Sequence, residues 1–225
     1  YQRLLARDQV EAVEIVERFL KTEPAANVFD AMLIPALNYA ERDRLEGHLS
    51  IEEEAAVIDT TREVLDIFSE SQTVAMSVSA APPLDGQPLR VLGYAVNGPG
   101  DELALRMLAQ LVGDLPIALD VTTTRVLASE LVEHVRVNGY GLICFADLPP
   151  STSSKTRYLV KRLRTALPGL RIVVGRWAHP SLAGDTLQPL TDAGASHVSS
   201  SLLETRKYLA EAAHVGTAVV SEPAA

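Results

Sequence analysis

The residues of this 225-residue chain that could do chemistry are few, and they sit where apolar runs give way to turns. Asp147 follows the apolar run 141–145. The turn Gly98-Pro99-Gly100 precedes two acids, Asp101 and Glu102. Two carboxylates at a helix start oppose a pyrophosphate, which would need bare backbone donors there, so they read as an N-cap and a first-turn acid. A dinucleotide fingerprint would also need a third glycine where Leu103 stands, although Asp120, near the end of the second strand, is suitably placed for a ribose. The segment Ser151-Thr-Ser-Ser-Lys155-Thr156 ends as a phosphate loop does but has no glycine to free its backbone. Arg176 and Trp177, after Gly175, could offer a fixed charge and an aromatic face. His48, His134, His179, His197 and His214 are scattered over different segments, with no spacing that suggests a shared metal or a proton relay. Cys144 is the single cysteine and has no His or acidic cluster around it, so neither an internal disulfide nor a structural zinc site is expected. No catalytic residue and no metal site are predicted.

Two sets of elements must position these residues. The amino-terminal part reads as helices. Asp8 with Glu11 begins one, carrying Ala12, Val16, Phe19 and Leu20 on one face. A second starts near Pro24, carries Val28, Met32, Leu33, Ala36, Leu37 and Ala40, and ends at Gly47. Pro35 lies inside it and should kink it. Ser50 and Glu53 form a capping box for a third, whose buried face is read as Ile51, Ala55, Ile58, Leu65 and Phe68. From residue 89 onward, five apolar runs alternate with amphipathic helices, which predicts a five-stranded parallel sheet of Rossmann-like, flavodoxin-like type, covered on both faces. The fold class is thus α/β, with a helical bundle at residues 1–70, a linker rich in Pro, Gly and Ser at 71–88, the sheet domain at 89–214, and a tail at 215–225 expected to fray.

The charge follows the same division. Residues 1–70 hold sixteen Asp and Glu against seven Lys and Arg, which accounts for the whole net charge of -9. Between Leu148 and Gly184 lie seven basic residues and no acid. Arg157, Lys161 and Arg164 recur there at helical spacing and form a candidate interaction surface for an acidic partner or anionic headgroups. Nucleic acid is excluded as a partner, because the chain is acidic and no aromatic residues interleave with those charges. No run of 18 apolar residues exists to span a bilayer.

The arrangement of helical part, linker and sheet brings two resemblances. In the first, Leu4-Leu5, Asp8, Leu33-Ile-Pro-Ala-Leu37, Gly47-His-Leu-Ser-Ile-Glu-Glu-Glu54 and Leu65 resemble the helical cap of cobalamin-binding regulators and methyltransferases, and the second domain is similar to their cobalamin-binding domain. That family holds the corrin with Asp-x-His-x-x-Gly after the first strand, the histidine ligating cobalt. The matching positions here are Gly98, Gly100 and Leu103. The family's Ser-x-Leu becomes Ala146-Asp147-Leu148, and its paired glycines after the fourth strand become Gly175-Arg176, where the arginine would crowd the nucleotide tail. A cap tryptophan expected near Arg44 is replaced, and Ala55 stands for the histidine expected after Glu54. The resemblance implies a non-enzymatic regulatory or ligand-sensing domain. No cofactor is predicted, and cobalamin with a histidine ligand is not expected. Any small-molecule ligand would lie between the helical domain and a pocket formed by Asn97, Gly98, Gly100, Asp101, Ala146, Asp147, Ser151, Gly175, Arg176 and Trp177, unless Arg176 and Trp177 simply plug that space.

The second domain also resembles receiver domains, in which an aspartate at the place of Asp147 accepts a phosphoryl group. A receiver's metal-holding acids are here Ala95, Val96 and Asn97, and its lysine after the fifth strand is replaced within Ser199-Ser200-Ser201. Asp147 therefore reads as an exposed loop acid, with a phosphoacceptor or an enzyme using this loop as the alternative, and a structural assembly module as another. Finally, the opening Tyr1-Gln-Arg-Leu-Leu-Ala-Arg-Asp8 resembles the start of the soluble carboxy-terminal extension of permeases of the autoinducer-2 exporter family. This implies a cytoplasmic location at the inner membrane and a membrane-spanning partner in the same chain. A homo-oligomer is a separate expectation.

Overall fold

A computed structural model of the chain describes residues 1–76, 87–122, 127–178 and 187–218. Contacts divide it into two units, Tyr1–Pro83 and Leu84–Ala225. In the first unit, local capping sets the helix starts. The short α1 (Gln2–Leu5) is followed by α2 (Gln9–Leu20), whose N-cap Asp8 accepts a hydrogen bond from the Glu11 amide. Helix α3 (Ile34–Leu45) ends before Gly47, whose φ of +76° needs no Cβ penalty. In α4 (Ile51–Met76), the Ser50 hydroxyl accepts from the Glu53 amide, and the Glu53 carboxylate accepts from the Ser50 amide.

Pro35 is accommodated differently from the expected kink. A π-helical stretch, Phe29–Leu33, runs directly into α3, placing Pro35 in its first turn. Widening the preceding turn removes the clash with the carbonyl four residues back, and the missing N–H falls where helix starts leave donors unpaired anyway. The core of this unit gathers Val16, Phe29, Leu33, Leu37, Val57, Leu65 and Phe68, with the rings of Phe29 and Phe68 edge-to-face at 5.5 Å. On α4 the buried face is Val57, Ile58, Val64, Leu65 and Phe68. Ile51 and Ala55, read from the sequence as buried, are exposed. The helix also continues to Met76, past the boundary at residue 70 that the charge count suggests.

The second unit is a five-stranded parallel sheet of order β2-β1-β3-β4-β5, formed by β1 (Leu89–Ala95), β2 (Ile117–Thr122), β3 (Leu142–Ala146), β4 (Arg171–Gly175) and β5 (His197–Ser199). Between them run α5 (Pro99–Leu111), α6 (Ala128–Val137), α7 (Ser154–Ala166), α8 (Leu187–Asp192) and the closing α9 (Leu202–Ala218). The central strand β3 is apolar and buried along its length, as burial on both faces requires, and β1 and β4 carry an arginine only near their starts, Arg90 and Arg171. Gly93 lets α5 approach, because a Cβ there would lie 3.2 Å from a Leu105 methyl. The short α8 carries too few periodic positions to be read from the sequence. Helix α9 runs through Ala218, and residues 219–225 of the expected tail lie outside the described residues.

Candidate functional site

The strand order reverses between β1 and β3, and the crevice at the carboxyl ends of those strands is where open α/β sheets take ligands. Here the crevice is crossed by the protein's own side chains. Asn97, just after β1, donates from its amide side chain to Asp147 Oδ1 after β3 at 3.0 Å. Asp101, in the first turn of α5, accepts from the Asn97 backbone amide at 2.7 Å and from the Leu148 amide at 3.0 Å. Lys155, in the first turn of α7, donates to the Val96 carbonyl. Asp101 is therefore no N-cap, since that place belongs to Gly98. It is buried, and it joins the loop after β1 to the loop after β3.

Asp147 corrects the sequence reading most sharply. Instead of an exposed loop acid it is 0% exposed. Its carboxylate pairs with the Arg176 guanidinium at 3.0 Å and accepts from the Thr156 hydroxyl at 2.6 Å, in addition to Asn97. Burial pushes the Asp147 carboxyl up from its ordinary value, opposed by Arg176, Thr156 and Asn97. Arg176, 3% exposed, also donates to the carbonyls of Asp147 and Ser151 at 3.0 Å each. Its Nε has no partner among the described residues. Both carboxylate oxygens of Asp147 thus have partners within the chain.

Trp177 is fully buried. Its indole N–H donates to Thr205 Oγ1 at 2.8 Å and faces Ser199 Oγ at 3.3 Å. The ring lies against Gly175 so closely that a Cβ on that glycine would sit 2.1 Å from the indole Cε2. Gly175 thus makes room for a side chain of its own chain. By contrast, a Cβ on Gly100 would meet nothing within 4 Å.

Among the sequence-predicted positions, the structure brings Asn97, Gly98, Asp101, Ala146, Asp147, Ser151, Gly175, Arg176 and Trp177 to one edge of the sheet, through the hydrogen bonds above and the register of Ala146 with Gly175. His179 lies outside the described residues. Asp120 pairs with Arg90 at 3.0 Å and accepts from the Tyr140 hydroxyl at 2.9 Å, both through Oδ2. Arg164 leaves the proposed basic stripe. Its guanidinium donates to the carbonyls of Gly194, Pro168 and Leu170 and to Ser196 Oγ, tying the end of α7 to the segment before β5. His197 stacks on Tyr208 at 4.5 Å. Cys144 is buried in β3, and burial pushes its thiol up to about 12, so it is not a nucleophile. At the cap positions, Arg44 and Glu54 pair with each other at 2.5 Å. Thr205 is not singled out by the sequence, and Thr156 and Ser199 read there only as part of a phosphate-loop-like segment and as the replacement of a receiver lysine, not as partners of Asp147 and Trp177. A hydroxyl that satisfies a buried acid or indole has no local pattern, because its partner lies on another element.

The chain shares the fold of a corrinoid protein. It aligns with the monomethylamine corrinoid protein of Methanosarcina barkeri at a TM-score of 0.66 and 13% identity, covering 94% of this chain and 95% of that one. A cobalamin-binding protein from Desulfitobacterium hafniense DCB-2 aligns at 0.41 and 14% identity over 92% and 93% of the two chains. A CheY-like protein from Pseudomonas aeruginosa PAO1 aligns at 0.42 and 19% identity, covering 54% of this chain and 93% of its own. The likeness at these identities is one of fold. No protein-family model matches the sequence, and no curated protein matches it significantly. Among the described residues, no helix is long and apolar enough to cross a membrane.

Proposed function

We propose that this chain is a non-enzymatic regulatory or interaction module, built on a corrinoid-protein-like fold whose ligand crevice is filled by its own side chains. The observation that carries this reading is the indole of Trp177 packed on Gly175, fully buried and hydrogen-bonded to Thr205. The residues present do not fit a corrin held by histidine. Gly100, at the position matched to the cobalt ligand, has no side chain to offer, and the space that the second of the paired glycines would leave is taken by Arg176, buried against Asp147. The Asp147–Arg176 pair supports a structural role for this loop over phosphoacceptor or enzymatic use. Native mass spectrometry of the purified protein tests the reading: the expected mass is that of the chain, or a whole multiple of it, with nothing added, and a copurifying tetrapyrrole would overturn it.

The finer reading places the module as the soluble extension of an autoinducer-2 exporter family permease, on the cytoplasmic side of the inner membrane. It rests on the opening residues 1–8 and is tested by fractionation. An antibody against this chain should detect the native protein in the membrane fraction, and recovery wholly in the soluble fraction would refute it.

A further inference from the structure

Removing Arg164 from the basic stripe leaves a different surface on α7. Arg157, Tyr158, Lys161 and Arg162 are all exposed, and Tyr158 shows 57% of its surface. Most arginines of the second unit are tied down, as Arg90, Arg106, Arg136, Arg176 and Arg206 are by acids. Arg157, Lys161 and Arg162 have no acidic partner among the described residues. Two acids on the flanking helices lie near the strip but form no ion pair with it: Glu133 pairs with Arg136 and Asp192 accepts from Gln188, each at 2.8 Å. Three cations thus surround an exposed aromatic ring.

The first unit carries the complement. On the exposed face of α4, Glu63, Asp66 and Glu70 recur at spacings of three and four, with no basic partner among the described residues. Ile67 lies among them with 38% of its surface exposed. The strips span about 8 Å on α7 and about 10 Å on α4, roughly one and a half to two turns, with opposite charges around one apolar side chain. We infer that the Arg157-Tyr158-Lys161-Arg162 strip of one copy binds the Glu63-Asp66-Ile67-Glu70 strip of a second copy. The two strips differ, so the contact is heterologous and closes only as a reciprocal pair or a ring. Opposed exposed charges give specificity and strong salt dependence, while Tyr158 on Ile67 supplies the apolar centre.

Light scattering over a concentration series tests this. The wild type should exceed the monomer mass at low salt, and its association should weaken about tenfold or more at high salt. The variants R157E/K161E/R162E and E63K/D66K/E70K should each be monomeric, whereas the chain carrying all six reversals should associate again. Far-UV circular dichroism checks the fold; if a triple variant unfolds, K161E and D66K, read as shifts of the association midpoint, replace it. A wild type that stays monomeric, or a six-fold reversal that fails to restore association, overturns the inference. Sedimentation of a monomeric wild type, but not of R157E/K161E/R162E, with vesicles of anionic lipid would assign the strip to a membrane surface instead.

Discussion

Replacing Asp147 by Ala removes the only counter-charge, among the described residues, of a guanidinium 3% exposed whose Nε has no partner among them. Removing one member of a buried ion pair costs about 3–5 kcal/mol. Arg176 would keep the carbonyls of residues 147 and 151, which argues for the lower end. Thr156 and Asn97 would lose this acceptor as well, adding about 1 kcal/mol each and bringing the sum to about the top of that range. For a chain of this size, 1 kcal/mol moves the melting point by about 2–4 °C, so a drop on the order of 10 °C is expected. Trp177 is the single tryptophan and is buried in the same unit, so its fluorescence during urea unfolding reports this unit directly. The double variant Asp147→Leu with Arg176→Met should recover much of the loss, since exchanging both members of a buried pair for apolar groups is often neutral. A single variant within about 0.5 kcal/mol of wild type, or more stable than it, would refute the reasoning. It would mean that the acid is held at a cost to the fold, as catalytic acids are.

Further outcomes follow from the same contacts. Arg164→Ala should cost about 2–3 kcal/mol, because three carbonyls lose a charged donor, while Arg157→Ala and Lys161→Ala should stay within about 0.5 kcal/mol; urea midpoints separate the two classes. Trp177→Ala should cost about 3–5 kcal/mol in thermal unfolding and leave a cavity over Gly175. Cys144, raised from 9.0 to about 12 in the fold, should resist iodoacetamide until the chain unfolds. Its contribution to stability is complete below pH 9.0 and declines as the pH rises from there towards about 12, because only the unfolded thiol ionises in that window.

The architecture was legible because its signals are local or periodic. Asp8 and Ser50 mark helix starts by chemistry that acts over three residues, and the five apolar runs name the strands. The π turn before Pro35 was not legible, since a proline inside an apolar period gives the same pattern whether the helix kinks or widens. The site was legible in place more than in state. The loops after β1, β3 and β4 could be named from strand ends alone. Whether Asp147 is exposed depends on Thr156 nine residues onward and on Arg176 twenty-nine onward, which only the turn into α7 and the β3–β4 register bring to it. Arg164 misled for the same reason, because helical spacing says which face a side chain starts from and not that a long one will fold back onto carbonyls.

The measurement closest to the central claim is titration of the purified protein with hydroxocobalamin, followed by absorbance and by filtration through a membrane that retains the protein. On the proposed reading, in which Asn97, Asp147, Arg176 and Trp177 fill the crevice and Gly100 offers no ligand, the corrin spectrum stays that of the free compound and the corrin passes through the filter. Corrin retained in proportion to the protein, with a spectrum shifted to that of histidine-ligated cobalt, would contradict it.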